Sequence, residues 1–214
     1  MLRMVTIGVY GFDGESFLQR LRHADVRLLL DVRQRRGVRG PEYAWANSLR
    51  LQAALAQARI AYEHHPELAP TTDLRQLQYA EDDRQGVGKR SRRELAAEYT
   101  RRYTTGILDR ADLTPIVSEL SSSGTAALLC VERDPEACHR SLIAQRLTEQ
   151  HHVTIELSWP FTSSGVNTWH SGPKSARIRH RRTKRPGQPE EERADRVAAQ
   201  QRIERLRQNS DAGW

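Results

Sequence analysis

Cysteine is nearly absent from this chain. Two cysteines in 214 residues are too few for a disulfide framework, and nothing near the start resembles a signal peptide. Long apolar runs are missing as well. The first, residues 4–9, is far too short to cross a membrane. The expectation is a cytoplasmic protein with reduced thiols and no membrane partner. There is no GxxxxGK[ST] loop and no GxGxxG, so neither a P-loop nor a dinucleotide-binding fold is expected. There is no internal repeat. Hydrophobic residues make up 37% of the chain and charged residues 29%, enough for one core of ordinary size in a sequence that leans polar.

The net charge of +7 is unevenly placed. Residues 171–214 hold 12 basic and 6 acidic side chains, a net of +6, which leaves +1 for the rest. From residue 158 the apolar rhythm is lost. The expected organisation is an α/β domain over residues 1–160 and a basic, flexible tail over 161–214. Ala199, Ile203 and Leu206 recur at helical spacing within a candidate helix at 190–208. That apolar face is thin, isolated helices of this kind are marginal in water, and such composition reads as disorder.

Before the tail, apolar and β-branched runs predict strands at 4–9, 26–31, 60–63, 125–131 and 153–157. Helices are predicted from the N-cap Asp13 to 23, and over 48–59, 94–107 and 112–120, with a last one after Pro135. Residues 33–47 read as a long loop, 73–90 as a mobile insert or lid, and 121–124 as a flexible joint. The alternation predicts a three-layer α/β sandwich around a mostly parallel sheet of about five strands. Ligands of such sheets sit outside the carboxyl ends of the strands. Polar and reactive residues leave the sheet there four times: Gly8, Tyr10 and Gly11; Asp31 and Arg33; His64 and His65; Cys130, Glu132 and Asp134.

Residues 125–147 hold the densest chemistry, including both cysteines. Asp134 and Pro135 read as N-cap and first residue of the last helix. Cys138 then falls in or just past its first turn, where the helix dipole favours a thiolate. Cys130 is either an inert core residue or faces the pocket, and the same two readings stay open for Cys138. Successive helical residues turn by about 100°, so at most two of Cys138, His139 and Arg140 face one site. Arg140 shares a face with Ile143 and Leu147, so burial calls for an acidic partner, Asp31 or Glu132. A structural ion pair and substrate binding are both open for it. The cysteine spacing does not match a CxxC knuckle, and HxxxH and HExxH are absent, so no metal and no cofactor is expected. Arg33, Arg35, Arg36 and Arg39, with Tyr43 and Trp45 close behind, suit phosphate contact with base stacking, or form a solvated flap. Tyr99 and Tyr103, at i and i+4, are either core or ligand-facing.

These landmarks together resemble the bacterial family called domain of unknown function 488. Its TIG-x-x-G opening corresponds to Thr6, Ile7, Gly8 and Gly11. Its D-V-R is Asp31, Val32 and Arg33. Its Y-x-H-x-P-E-L is Tyr62, His64, Pro66, Glu67 and Leu68, and its C-x-E-x-D-P-x-x-C-H-R is Cys130, Glu132, Asp134, Pro135, Cys138, His139 and Arg140. The likeness covers about residues 4–157. Val9 and Tyr10 stand where members often carry His-Ser or Tyr-Glu, and Arg36 where many have proline. The resemblance implies a compact α/β domain with these residues clustered, and no particular reaction.

The leading functional expectation is an enzyme that hydrolyses a glycosidic or phosphoester bond in a nucleotide or nucleic acid. Asp31 and Glu132 are its candidate acid and base, His64 a proton carrier and Cys138 a further catalytic candidate. Arg33, Arg36, Arg140, Tyr10, Trp45 and His139 are the candidate substrate-binding residues. Two alternatives stand beside it. One is sulfur-transfer or redox chemistry on the cysteines, although Glu136 sits six residues after Cys130, where a phosphatase-like loop has arginine. The other is a non-catalytic nucleic-acid-binding module with its affinity in the tail.

Overall fold

The computed structural model describes residues 2–157, residue 89 excepted. Five strands, β1 (Arg3–Gly8), β2 (Val26–Asp31), β3 (Ala61–His64), β4 (Thr125–Cys130) and β5 (Thr154–Leu157), pair in parallel throughout, in the order β3-β2-β4-β1-β5. Six α-helices connect the strands among the described residues: α1 (Gly14–His23), α2 (Ser48–Gln57), α3 (Thr72–Gln85), α4 (Ala97–Gly106), α5 (Thr114–Ser123) and α6 (Arg140–His151). The expected tail and its candidate helix at 190–208 lie outside the described residues. No helix among the described residues is long and apolar enough to cross a membrane.

The strands alternate between two hydrophobic faces, because successive side chains of a strand point opposite ways. Met4, Leu28, Leu30, Ala126, Leu128 and Cys130 pack with residues of α3, α4, α5 and α6. Val5, Ile7, Leu29, Ala127 and Leu129 pack with Phe17 and Leu21 of α1 and Leu51 and Leu55 of α2. The sheet is therefore buried on both sides, which explains the near-continuous apolar runs. A register shift between Val26 and Leu28 lets Val26 join the α1–α2 face.

Local chemistry fixes several boundaries. Asp13 caps α1: its carboxylate accepts from the Ser16 amide at 2.8 Å, and the Ser16 hydroxyl accepts from the Asp13 amide at 3.1 Å. This reciprocal pair satisfies two amides that the first turn leaves open.

Four expectations are corrected. Residues 73–90, read as a mobile insert or lid, are mostly a regular helix: α3 starts at a Thr71 cap and ends at Gly86 in the left-handed region (φ +65°). The expected joint at 121–124 is mostly the last turn of α5, with Gly124 ending it. The loop at 33–47 contains a 3-10 helix, Pro41–Ala46. Asp134 and Pro135 open only a single 3-10 turn, Pro135–Ala137, after which Cys138 is extended (φ −141°, ψ 144°) and α6 begins at Arg140. The Asp134 carboxylate is held by Arg133 at 2.8 Å and makes no cap bond.

Candidate functional site

The loops after β1, β2 and β4 are stitched together at the carboxyl edge of the sheet. The Val9 and Tyr10 amides donate to the Cys130 and Val131 carbonyls, each at 3.0 Å, and the Val32 amide donates to the Leu129 carbonyl at 3.1 Å. Gly8 permits this approach, since a Cβ there would lie 1.9 Å from the Glu132 carbonyl oxygen. That oxygen also accepts from Arg140 Nη1 at 2.7 Å, while Nη2 donates to the Arg133 carbonyl at 2.7 Å. Arg140 is fully buried. Its partners are thus two backbone carbonyls and not the carboxylate expected from the sequence. Its work is to hold the loop that carries Glu132.

Above these loops lies a cavity of about 540 Å³, within the range of roughly 300–1,000 Å³ common for small-molecule sites. Six arginines line it: Arg33, Arg35, Arg39, Arg75, Arg90 and Arg92. Among the described residues that line it, Glu132 is the one carboxylate. Arg35, Arg39 and Arg75 have no carboxylate partner among the described residues. Arg90 lies over the rings of Tyr10 and Tyr43, at 5.1 and 5.2 Å from their centroids. Tyr79 and Tyr99 add further aromatic surface.

A buried polar chain holds one wall in place. Gln78 donates to Asp82 at 2.8 Å, and Arg92 bridges Asp82 at 2.8 Å and Glu132 at 3.2 Å. The Gln78 carbonyl oxygen accepts from the Ala96 amide at 2.9 Å. Helix α3 is thereby tied to the residue that reaches into the cavity. Arg75, Arg90 and Arg92 were not among the sequence candidates. The polar stretch 73–93 shows no apolar periodicity that would separate a solvated helix from one anchored by buried polar groups.

Cys130, Cys138 and His139 also line the cavity and are buried. His139 Nδ1 lies 3.9 Å from Cys130 Sγ and 3.7 Å from Cys138 Sγ, and its Nε2 lies 3.0 Å from the Val32 carbonyl oxygen. Cys138 is extended and not helical, and it and His139 reach one place together, while Arg140 turns away to the Glu132 and Arg133 carbonyls. For Cys130, the hydrogen bond with Cys138 and then burial push the thiol well above its ordinary pKa. Burial raises Cys138 too, but the bond from Cys130 and the fields of His139 and Arg140 outweigh it, leaving Cys138 well below the usual value. Tyr99 and Tyr103 stack at 6.0 Å beneath this group, and Tyr103 donates to the Leu68 carbonyl. Both are buried, and Tyr99 also touches the cavity.

The remaining candidates sit elsewhere. Asp31 aligns with Leu129 in the β2–β4 register, so its side chain points to the α1–α2 face, opposite Cys130. Its carboxylate is fully buried and accepts from Arg33 Nε at 2.8 Å, Arg33 Nη2 at 2.7 Å and the Tyr62 hydroxyl at 2.7 Å. Burial would lower the Arg33 pKa, but these bonds raise it, and burial with the Asp31 bond raises Tyr62. Arg33 also donates to the Ala46 carbonyl at 3.0 Å, so its head is used internally although it borders the cavity. The Arg36 guanidinium lies near Tyr62 and opposes the rise in the Tyr62 pKa. His64 Nε2 lies 2.8 Å from the Arg33 carbonyl oxygen. Trp45 packs on Phe17 at 4.8 Å between ring centroids. Asp31, Arg36, His64, Trp45 and Arg140 are not lining residues of the cavity. The structure brings Tyr10, Arg33, Glu132, Cys138 and His139 around it.

Fold and cavity together define a parallel α/β sandwich protein with an arginine-lined site at its strand ends. The chain belongs to the family described as Domain of unknown function DUF488, whose model matches residues 13–147. The match starts at the cap of α1 and ends within α6, so it spans every lining residue except Tyr10. No curated protein and no solved structure matches the chain.

Proposed function

We propose that this chain is an enzyme acting on a phosphate-bearing substrate, a nucleotide or a nucleotide unit of nucleic acid, and that it hydrolyses a glycosidic or phosphoester bond. One observation carries the reading: Arg35, Arg39 and Arg75 bring cationic forks to one cavity without carboxylates to neutralise them among the described residues. Planar guanidinium groups match phosphate oxygens two at a time. Tyr10 and Tyr79 offer faces on which a base stacks. The volume of about 540 Å³ suits one nucleotide unit better than a duplex.

In this reading Glu132 is the general base, oriented by Arg92 at 3.2 Å. It takes a proton from water as the water oxygen attacks phosphorus or the sugar carbon, and the proton returns to the departing group. Asp31 and His64 take no part in the chemistry. The test is incubation of purified protein with mononucleotides and single-stranded oligonucleotides, with products separated by chromatography. Product formed by the wild type and lost in Glu132→Gln is expected. No product, or equal product from both proteins, would remove the hydrolase reading.

A second reading, sulfur transfer, draws on Cys130 and Cys138 lining the same cavity. Attack of a cysteine thiolate on thiosulfate would release sulfite and leave a persulfide. Mass spectrometry would then show one added sulfur on the intact protein, and an unchanged mass would exclude it.

A further inference from the structure

The group Cys130, Cys138 and His139 has a geometry that phosphate binding does not need. One donor atom from each lies within 4.8 Å of the other two. In tetrahedral zinc sites the metal sits at about 2.3 Å from sulfur and 2.0–2.1 Å from nitrogen, so ligand edges are about 3.5 Å for S···N and about 3.8 Å for S···S. The observed S···N separations are 3.7 and 3.9 Å. Both S···N separations stand within a few tenths of an ångström of a coordinating arrangement, and the two sulfurs lie within 4.8 Å of each other.

The histidine is also oriented for that role. With a proton on Nε2 donated to the Val32 carbonyl at 3.0 Å, Nδ1 is left with its lone pair toward the two sulfurs. A ligating histidine is usually fixed in this way by a bond from its other nitrogen. Val32 is itself pinned, through its amide, to the Leu129 carbonyl at 3.1 Å. The ring packs on Tyr103 at 5.5 Å between centroids. Three elements, the end of β4, the extended residue before α6 and the α6 N-cap, thus converge on one point.

We propose that Cys130 Sγ, Cys138 Sγ and His139 Nδ1 form a binding site for a zinc-class divalent cation, with a fourth position open to the cavity. Two thiolates and a neutral imidazole are a borderline-soft donor set that suits zinc over magnesium or calcium. Three protein ligands with one open position is the pattern of reactive zinc sites, whereas structural sites close all four. Both sulfurs bind as thiolates, any thiol proton still present leaving to solvent, and no oxidation state changes. The eight-residue spacing of the cysteines conceals the site in the sequence, because β4 and α6 are brought together by tertiary packing and not by a local knuckle.

The full chain, freshly reduced, is dialysed against Zn²⁺ or Co²⁺ and then freed of loosely held metal. Expected are one ion per chain by elemental analysis and, with Co²⁺, the intense near-ultraviolet absorption of thiolate-to-cobalt charge transfer. Cys138→Ser and His139→Gln should each weaken binding at least tenfold, since losing even the partner that orients a ligand costs about 10–100-fold. Should a variant fail to fold, the wild type still decides: bound Zn²⁺ should protect both thiols from alkylation. Absence of stoichiometric metal, retention of the cobalt band in Cys138→Ser, or alkylation unaffected by Zn²⁺ would each overturn the site. So would a protein that takes up no metal and instead closes a Cys130–Cys138 disulfide. These readouts need no substrate, so failure here leaves the phosphate reading untouched.

Discussion

Replacing Asp31 by Asn separates a structural role for this carboxylate from a catalytic one. The carboxylate is fully buried, and the Arg33 side chain beside it is 1% exposed. Between them run two short bonds of 2.8 and 2.7 Å, and Tyr62 adds a third of 2.7 Å. The amide keeps the size of the side chain but removes the charge and turns one acceptor into a donor facing donors. Leaving a buried charge without its partner costs about 3–5 kcal/mol. In a chain of this length 1 kcal/mol moves Tm by about 2–4 °C, so a drop of roughly 6–20 °C is expected. Tyr62→Phe removes one charge-assisted bond and should cost about 1.5–3 kcal/mol. It serves as the milder companion if Asp31→Asn does not fold. Thermal and urea unfolding give the stability of each variant, and phosphate-ligand affinity is measured on the folded protein. Both variants should lose stability and keep affinity per folded molecule. Unchanged Tm with abolished turnover in Asp31→Asn would refute the structural assignment and return Asp31 to the catalytic group.

Other outcomes follow from the same contacts. Gly8→Ala forces a methyl to within 1.9 Å of the Glu132 carbonyl, so it should destabilise by at least the roughly 1–3 kcal/mol of an overpacked site, read by urea denaturation. Arg92→Met leaves Asp82 and Glu132 without their shared cation and should cost about 3–5 kcal/mol by the same measurement. At the β1–β5 edge the Arg3 bond holds the Glu156 carboxyl below its usual pKa. That stabilisation is present above the unfolded-state value near pH 4 to 4.5 and is lost as pH falls through the lower folded value. The pair is partly exposed, at 41% and 24%, so Glu156→Gln should cost less than about 1 kcal/mol at pH 7. The difference from wild type should vanish in strong acid.

The strands and sheet-buried runs could be read directly because both faces of a parallel sheet must be covered. The helices with apolar faces were equally plain. What a list of strand ends leaves out is parity. Asp31 and Cys130 both follow apolar runs, yet Asp31 aligns with Leu129, one residue before Cys130, so the two point to opposite faces. Continuous apolar strands carry no alternation from which to see this. Helix α3 was hidden for a different reason: its buried residues include Gln78 and Asp82, which look solvated in any hydropathy pattern. Arg140 misled because backbone carbonyls, its actual acceptors, have no signature in a sequence. Cys138 is extended where Asp134 and Pro135 had pointed to a continuing helix, so which two of Cys138, His139 and Arg140 would share the site was not legible.

The arginine-lined cavity is proposed to bind phosphate. Calorimetric titration of a nucleoside monophosphate into wild-type protein and into the triple variant Arg35→Ala, Arg39→Ala, Arg75→Ala tests it most directly. These side chains make no buried ion pair among the described residues, so stability should change by no more than about 0.5 kcal/mol per site. Each lost charge-assisted contact is worth about 1.5 kcal/mol or more, and 1.4 kcal/mol is tenfold in Kd. A hundredfold or greater loss of affinity in the triple variant, with wild-type binding weakening as salt is raised, is the expected result. Equal affinity in the two proteins, or no binding by the wild type to mononucleotides, single-stranded oligonucleotides or inorganic phosphate, would contradict it.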